Sequence, residues 1–431
     1  MDVADRVGAA RDMVPSYVRA VKETPETPER LVDIKERIGS WRTSIKFNQI
    51  TEEQFEHDHE LQVFDHLRKK LLKQFSDVFK EDLGPEDRLD VEPVKIELKP
   101  GSENAKLFNA RVPISTPRYL EKAADKELYR ILKSGVLEEV TWPTRSACRA
   151  FFVQKPGSPD SDPKVRMVNN MKPINQHIVS PGYPMDTSKK ILESLDPEEV
   201  CYGVIDLVQG FHQVPVAEES KDLLTIILPQ GKYRFASLPQ GLVCSTDYFN
   251  LCSDPLIRNQ PGFKKNVDDI LTSAKDIRQL EERLKKLLTI CRKWNMKIAP
   301  SKFQVGSSVI FGGTVIEAVN QKGDPNRTVF LSPTKDKLEA FLNFPTPSCR
   351  KDIQSIMGAA AQLKRWTPGL MLISPNLQKL TGANTPFHWN EGLQQELDEM
   401  KNALKEHVKL TPLDLTTPGQ FCVRHWVQIL P

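Results

Sequence analysis

The sequence predicts an α+β fold, on three observations. Apolar residues recur at helical spacing in two stretches, Leu61, Phe64, Leu67, Leu71, Leu72, Phe75 and Val78, and again Ile277, Leu280, Leu284, Leu287, Leu288, Cys291 and Trp294. Short apolar runs of strand character end in acid instead of continuing, as in Val204-Ile205-Asp206 and Val267-Asp268-Asp269-Ile270-Leu271. Turn sequences bounded by apolar residues, Leu238-Pro239-Gln240-Gly241 and Phe311-Gly312-Gly313, punctuate the chain around them.

Taken in order, residues 1–60 are polar and broken at Thr24-Pro25-Glu26-Thr27-Pro28-Glu29, which reads as a linker. The stripe from Leu61 to Val78 predicts an amphipathic helix. Lys95-Ile96-Glu97-Leu98 reads as a strand, and Pro117 to Val136 as a helix. The stripe from Ile277 to Trp294 predicts a second amphipathic helix backing a sheet. From Pro333 onward helices are expected between Pro345, Pro347, Pro368 and Pro375, one of them running from Arg350 to Trp366.

The bulk properties exclude several functions. A chain of 431 residues can hold roughly three domains. Its 39% hydrophobic and 27% charged residues are ordinary for a globular protein, and no apolar run approaches the roughly 20 residues needed to span a bilayer. No membrane partner is expected. Met1-Asp2-Val3-Ala4-Asp5-Arg6 places acid where a secretory signal needs a basic patch followed by an apolar segment, so an intracellular protein is expected. The seven cysteines, at 148, 201, 244, 252, 291, 349 and 422, form no Cys-x-x-Cys and support neither a zinc site nor a disulfide framework. A net charge of +3 does not by itself indicate nucleic-acid binding. The basic runs Arg68-Lys69-Lys70, Lys264-Lys265, Lys285-Lys286 and Arg292-Lys293 read as solvated helix faces, and His57 and His59, two apart, do not share a helix face.

The acids carry the chemistry. A buried, unpaired carboxylate costs several kcal/mol, on the order of a whole domain's stability margin. An Asp-Asp pair between apolar runs is commonly a hairpin turn with solvated side chains. Joined by a third acid at the end of another strand, it offers hard oxygen ligands for Mg²⁺, and the chemistry indicated is metal-assisted phosphoryl or nucleotidyl transfer.

With these motifs in this order, the chain resembles the reverse transcriptases of gypsy-type long-terminal-repeat retrotransposons and, more distantly, of retroviruses, from about Leu61 almost to the C-terminus. Val204-Ile205-Asp206-Leu207-Val208-Gln209-Gly210-Phe211-His212-Gln213 fits the family's strand-end Asp followed five residues later by an aromatic. Leu238-Pro239-Gln240-Gly241 fits its turn, and Asn266-Val267-Asp268-Asp269 its Tyr-x-Asp-Asp hairpin. Phe152-Val153-Gln154-Lys155 and Arg166-Met167 with Asn175 look like the fingers hairpin. Pro300-Ser301-Lys302-Phe303 and Phe311-Gly312-Gly313 look like the segment ending in the primer grip.

The resemblance implies a right-hand polymerase with a palm antiparallel sheet backed by helices. It divides the chain into the linker, an N-terminal helix and fingers over 61–200, a palm over 201–325, thumb-like helices over 326–382 and a truncated start of a ribonuclease H-like domain over 383–431. Phe387-His388-Trp389-Asn390 resembles the start of that last domain. Phe421-Cys422-Val423-Arg424-His425-Trp426 stands where the family has a strand ending in Thr-Asp-Ala-Ser, so ribonuclease H activity is not expected.

The implied activity is RNA-directed DNA synthesis. Asp206, Asp268 and Asp269 would ligate two Mg²⁺ ions, with Mn²⁺ also suited to carboxylates. Phe211 would exclude a 2′ hydroxyl, Gln240 and Gly241 would shape the pocket floor, Lys155 and Arg166 would neutralise the triphosphate, and Lys302 would protonate the pyrophosphate. The implied partners are a primed RNA or DNA template and deoxynucleoside triphosphates. The setting would be a longer polyprotein in a cytoplasmic particle and in the nucleus.

Four departures bear on this expectation. Asn266 replaces the hairpin Tyr, Asn170 and Lys172 stand in place of Asp and Arg, the hairpin between Lys155 and Arg166 is long and carries Pro156, Pro159 and Pro163, and Ser146-Ala147-Cys148-Arg149 lacks bulky apolar residues. The alternatives are a fragment that binds nucleic acid without polymerising and an RNA-directed RNA polymerase. Phe211 and the Leu238–Gly241 turn argue against the second.

Overall fold

The structure is a computed structural model that describes residues 52–102, 107–258, 260–320, 327–367, 369–383, 385–405 and 410, with side chains from 59 onward. The chain forms two units, Met1–Gln62 and Val63–Pro431. Most of the expected linker, residues 1–51, and the segment from Phe421 to Trp426 lie outside the described residues.

The helices that position the site are α1 (Glu52–Gln74), α2 (Glu121–Lys133), α3 (Ser188–Glu193), α4 (Ser245–Ile257), α5 (Ile277–Lys293), α6 (Lys335–Leu342), α7 (Arg350–Leu363) and α8 (Glu391–Lys405). Three sheets lie among them. The first has the order β1 (Leu137–Glu139), β6 (Gly231–Phe235), β5 (Thr225–Leu228), β2 (Cys148–Gln154), β3 (Val165–Asn170), antiparallel except where β2 meets β5. The second is antiparallel throughout, in the order β7 (Phe263–Asn266), β8 (Asp269–Ala274), β4 (Cys201–Asp206), β9 (Gln304–Gly306). The third runs β10 (Ser308–Phe311), β11 (Thr314–Asn320), β12 (Arg327–Pro333).

The central strands of the second sheet, β4 and β8, are buried on both faces, which explains why Val204-Ile205 and Ile270-Leu271 read as continuous apolar runs. Ile205 and Ile270 join the main core with Leu280, Leu284, Leu287 and Leu288 of α5, while Tyr202, Val204 and Leu271 join a second core with Val309, Phe311, Ile316 and Leu331 of the third sheet. Residues two apart on a strand share a face. Asp206 and Asp269 therefore continue the Val204 and Leu271 face at the strand ends. Helix α5 sits close against the other face, where a Cβ on Gly203 would come within 2.7 Å of Leu284 Cδ2.

The helical stripes form helices with somewhat different ends. Helix α1 begins at Glu52 and stops at Gln74, leaving Phe75 and Val78 buried in the turn that follows. The expected helix from Pro117 to Val136 is a 3-10 turn at Arg118–Leu120 followed by α2, closed at Gly135 with φ +68°. Lys95–Leu98 is not a strand. It pairs only at single points on either side, Val94 with Val216 and Leu98 with Ile178. Phe341, Ile353, Ile356, Leu363, Leu393, Leu397 and Met400 of α6, α7 and α8 form a separate core. Among the described residues no helix is long and apolar enough to cross a membrane.

Candidate active site

Asp206 and Asp269 are direct cross-strand partners at the end of the β4–β8 ladder, and Asn266 pairs with Asp269 across the turn that joins β7 to β8. That turn holds two residues, Val267 and Asp268. Val267 adopts φ +56°, in the left-handed region that a β-branched side chain rarely enters, at a cost of about 1–3 kcal/mol. The turn is fastened beneath, where the Leu207 N–H donates to the Asp268 carbonyl at 3.1 Å. Gly210 lets the next loop approach: a Cβ there would lie 3.2 Å from Phe249 Cζ and 3.3 Å from Asp268 Cβ. Three carboxylates are thus gathered from two strands and one tight turn.

Their electrostatics show the stress of that gathering. Burial, then the charge of Asp268, then that of Asp206 push the Asp269 carboxyl well above the usual carboxylate range. Burial also raises Asp268, with Asp206 adding to the effect. The compensating charge is Lys302, whose Nζ donates to Asp206 Oδ1 at 2.8 Å and Oδ2 at 2.9 Å. Burial lowers the Lys302 ammonium, but the hydrogen bond to Asp206 and the charges of all three aspartates outweigh it and hold the group above its usual value.

The three aspartates are neighbours but are not spaced to hold a metal ion as they stand, nor is any other group of three Asp, Glu, His or Cys side chains among the described residues. The donor set nonetheless fits a divalent cation. It offers only hard oxygens, and it carries uncompensated negative charge with one exposed ammonium on Asp206 that a cation would displace.

Lys302 is held from behind by a residue that the sequence reading placed on a solvated face. Arg68 of α1 donates from Nε to the Phe303 carbonyl at 2.7 Å and from Nη2 to the Pro300 carbonyl at 2.9 Å, bracketing the Pro300–Lys302 turn. The Ala299 N–H ties the same turn to the Asp206 carbonyl at 3.0 Å. Lys264-Lys265 likewise is not a solvated helix face but part of β7. The Lys265 side chain is 4% exposed and donates to Asn250 Oδ1 at 2.6 Å and Asp254 Oδ1 at 2.8 Å, with its ammonium 4.9 Å from the Phe249 ring centroid.

Phe211 stands half-buried beside the carboxylates, edge-on to Phe249 with ring centroids 5.5 Å apart. Gln240 and Gly241 are exposed, and their carbonyls accept from Asn169 Nδ2 at 3.3 Å and Asn175 Nδ2 at 3.0 Å. Gly241 has φ +89°, and a Cβ there would come within 3.2 Å of the Asn169 carbonyl, so glycine is required on both counts. Lys155 and Arg166 lie exposed at one end of the β2–β3 pair, and neither makes an ion pair among the described residues. In the expected primer grip, Phe311 is 1% exposed and belongs to the core; it anchors the turn from inside and leaves Gly312 and Gly313 at the surface.

The second sheet thus presents paired aspartates, with Phe211 and the Gly241 turn exposed or half-buried on neighbouring segments. Residues 154–335 match the family model described as reverse transcriptase (RNA-dependent DNA polymerase). The Koala retrovirus Gag-Pol polyprotein is 25% identical over 373 residues, 84% of this chain and 21% of that protein. The Drosophila melanogaster Pol polyprotein from transposon gypsy is 25% identical over 319 residues, 68% of this chain and 29% of that protein. The chain thus spans less than a third of these relatives. Among solved structures, the foamy viral protease-reverse transcriptase with double-stranded DNA aligns with a TM-score of 0.69 at 22% identity, covering 92% of this chain and 75% of that one. The same viral protein with an RNA/DNA hybrid aligns with a TM-score of 0.67 at 21% identity, covering 89% and 47%. The fold is that of these polymerases, and the matched region is a reverse-transcriptase region of the kind found in retrotransposon Pol polyproteins.

Proposed function

We propose that this chain is the RNA-directed DNA polymerase part of a longer polyprotein and adds deoxynucleotides to a primer 3′ end. The observation that carries the reading is the cross-strand pair Asp206–Asp269 with Asp268 in the adjoining strained turn, all three inside the matched family region. Asp206, Asp268 and Asp269 would hold divalent cations, Mg²⁺ or Mn²⁺. When bound, these supply activation of the primer hydroxyl and neutralisation of the leaving pyrophosphate.

The chain's own residues do the remainder. Partial burial of the carboxylates reduces the screening of their charge by water, which strengthens their hold on any cation. Phe211, stiffened by its edge contact with Phe249, takes the space that a ribose 2′ hydroxyl would need. Gln240 and Gly241 form a rigid floor because Asn169 and Asn175 fix their carbonyls. Lys155 and Arg166 are exposed and make no ion pair among the described residues, so they are available to meet a triphosphate, the arginine through its planar fork. Lys302, whose ammonium reaches Asp206 at 2.8 Å, would give a proton to the departing pyrophosphate.

The partner would be a primed RNA or DNA template, in keeping with the nucleic-acid complexes of the foamy viral proteins. The test is extension of a DNA primer on an RNA template of defined sequence. A complementary DNA product supports the proposal, and binding of the primed template without extension contradicts it.

A further inference from the structure

Three segments far apart in sequence meet at Ser188, the first residue of α3. Its Oγ accepts from Asn266 Nδ2 at 2.6 Å, and Asn266 is the residue that pairs with Asp269 across the carboxylate turn. On its other side, a Cβ at Gly312 would lie 2.7 Å from both Cβ and Oγ of Ser188, so the Gly312–Gly313 turn rests directly on this side chain. That turn is held from the far side by Lys337, whose Nζ donates to the Gly313 carbonyl at 3.2 Å. Ser188 is not occupied with capping its own helix, because the cap is Thr187, whose hydroxyl accepts from the Lys190 N–H at 3.2 Å.

We infer that Ser188 is a positioning residue that sets the spacing between the Asp268–Asp269 hairpin and the Gly312–Gly313 turn, with Asn266 as the arm that joins it to the hairpin. The inference rests on the polymerase reading, in which the hairpin and the glycine turn act on the same primer end. The physical need is clear: Val267 holds the hairpin in a costly left-handed conformation, and a strained turn keeps its geometry only when neighbours fix it. A short polar side chain at 266 reaches no further than Ser188, and a hydrogen bond plus one van der Waals contact then locks hairpin to turn. Misplacement by about 1 Å is enough to cost on the order of a hundredfold in rate.

The test uses the full chain in steady-state primer extension. Ser188→Ala and Asn266→Ala are each expected to lower kcat by about tenfold with the nucleotide KM within about twofold, and the double variant to be no worse than either single one. Gly312→Ala, which drives a methyl group into Ser188 and also strains a backbone at φ +55°, is expected to lose about a hundredfold, and adding Ser188→Gly to recover about tenfold of that loss by removing the clash alone. Single variants without effect, losses that multiply in the double variant, or no recovery by Ser188→Gly would overturn the inference. If the parent itself extends no primer, the polymerase reading fails separately. The pair is then judged by Mn²⁺ titration under electron paramagnetic resonance, where equal weakening of about tenfold in both single variants and the double one is expected. Unchanged affinity there overturns it as well.

Discussion

The ammonium of Lys302 sits on Asp206, 2.8 and 2.9 Å from its two carboxylate oxygens, and Arg68 fixes the turn that carries it. The lysine and a divalent cation would compete for the same carboxylate. Lys302→Met is therefore expected to bind Mn²⁺ no more weakly than the parent while losing about a hundredfold in single-turnover extension. Arg68→Ala should lose part of the same rate, about tenfold, because it frees two carbonyls and lets the turn shift. Quench-flow kinetics beside metal titration separates the two effects, and weaker metal binding by Lys302→Met would count against the assignment.

Phe211 touches Phe249 edge-on and so cannot easily turn aside. With Phe211→Ala, incorporation of ribonucleotides should rise by about a hundredfold relative to deoxynucleotides, while deoxynucleotide use falls only modestly. Parallel extension with each nucleotide class reads the ratio, and an unchanged ratio would remove Phe211 from sugar selection.

Lys265 and Asp254 form a buried ion pair beneath the hairpin, with Asn250 as a third partner. Lys265→Met leaves Asp254 with only the part-exposed Arg258, 3.4 Å away, as counter-charge and is expected to cost about 3 kcal/mol in urea unfolding. Combining it with Asp254→Leu should recover most of that loss, since two apolar groups of similar size replace the pair.

Asp87 governs part of the acid stability. Its side chain is 1% exposed, receives the Lys80 ammonium at 2.6 and 2.8 Å and the Gly84 N–H at 2.7 Å, and lies 3.6 Å from Lys297 Nζ. Burial raises its carboxyl, but the Lys80 hydrogen bond, the Gly84 N–H and the charges of Lys80 and Lys297 outweigh it and hold the group below the usual range. A carboxyl with a lower pKa folded than unfolded binds protons more readily in the unfolded chain. Its stabilisation is complete above about pH 4 and is lost as pH falls through the folded value. Urea unfolding across pH should show a flatter acid limb for Asp87→Asn, together with a loss of about 2 kcal/mol at pH 7, since Lys80 keeps only the exposed Glu86 and Lys297 only the Asp77 carbonyl.

Much of the site was legible in the sequence because its residues break local rules. Acids that end apolar runs at Asp206, Asp268 and Asp269 contradict a buried strand unless something gathers them, and Gly241 sits in a turn that only glycine fits. The helix from Ile277 was legible from its period alone. What was not legible depends on partners distant along the chain. Arg68 reads as one of three basic residues on a helix face, yet its targets lie 232 and 235 residues away. Lys265 looks solvated until α4 brings Asn250 and Asp254 against β7. Lys95–Leu98 has strand composition but finds neighbours only at single points, and Phe311 looks available to a primer until the third sheet closes over it. Ser188 carries no signal of its own; only the meeting of Asn266 and Gly312 marks it.

The most direct test of the central claim compares primer extension on an RNA template, with deoxynucleotides and Mg²⁺, between the parent chain and Asp268→Asn at matched folding. The carboxylate site predicts extension by the parent and a loss on the order of a thousandfold in the variant. Equal extension by the two, or none by a folded parent that binds the primed template, would contradict it.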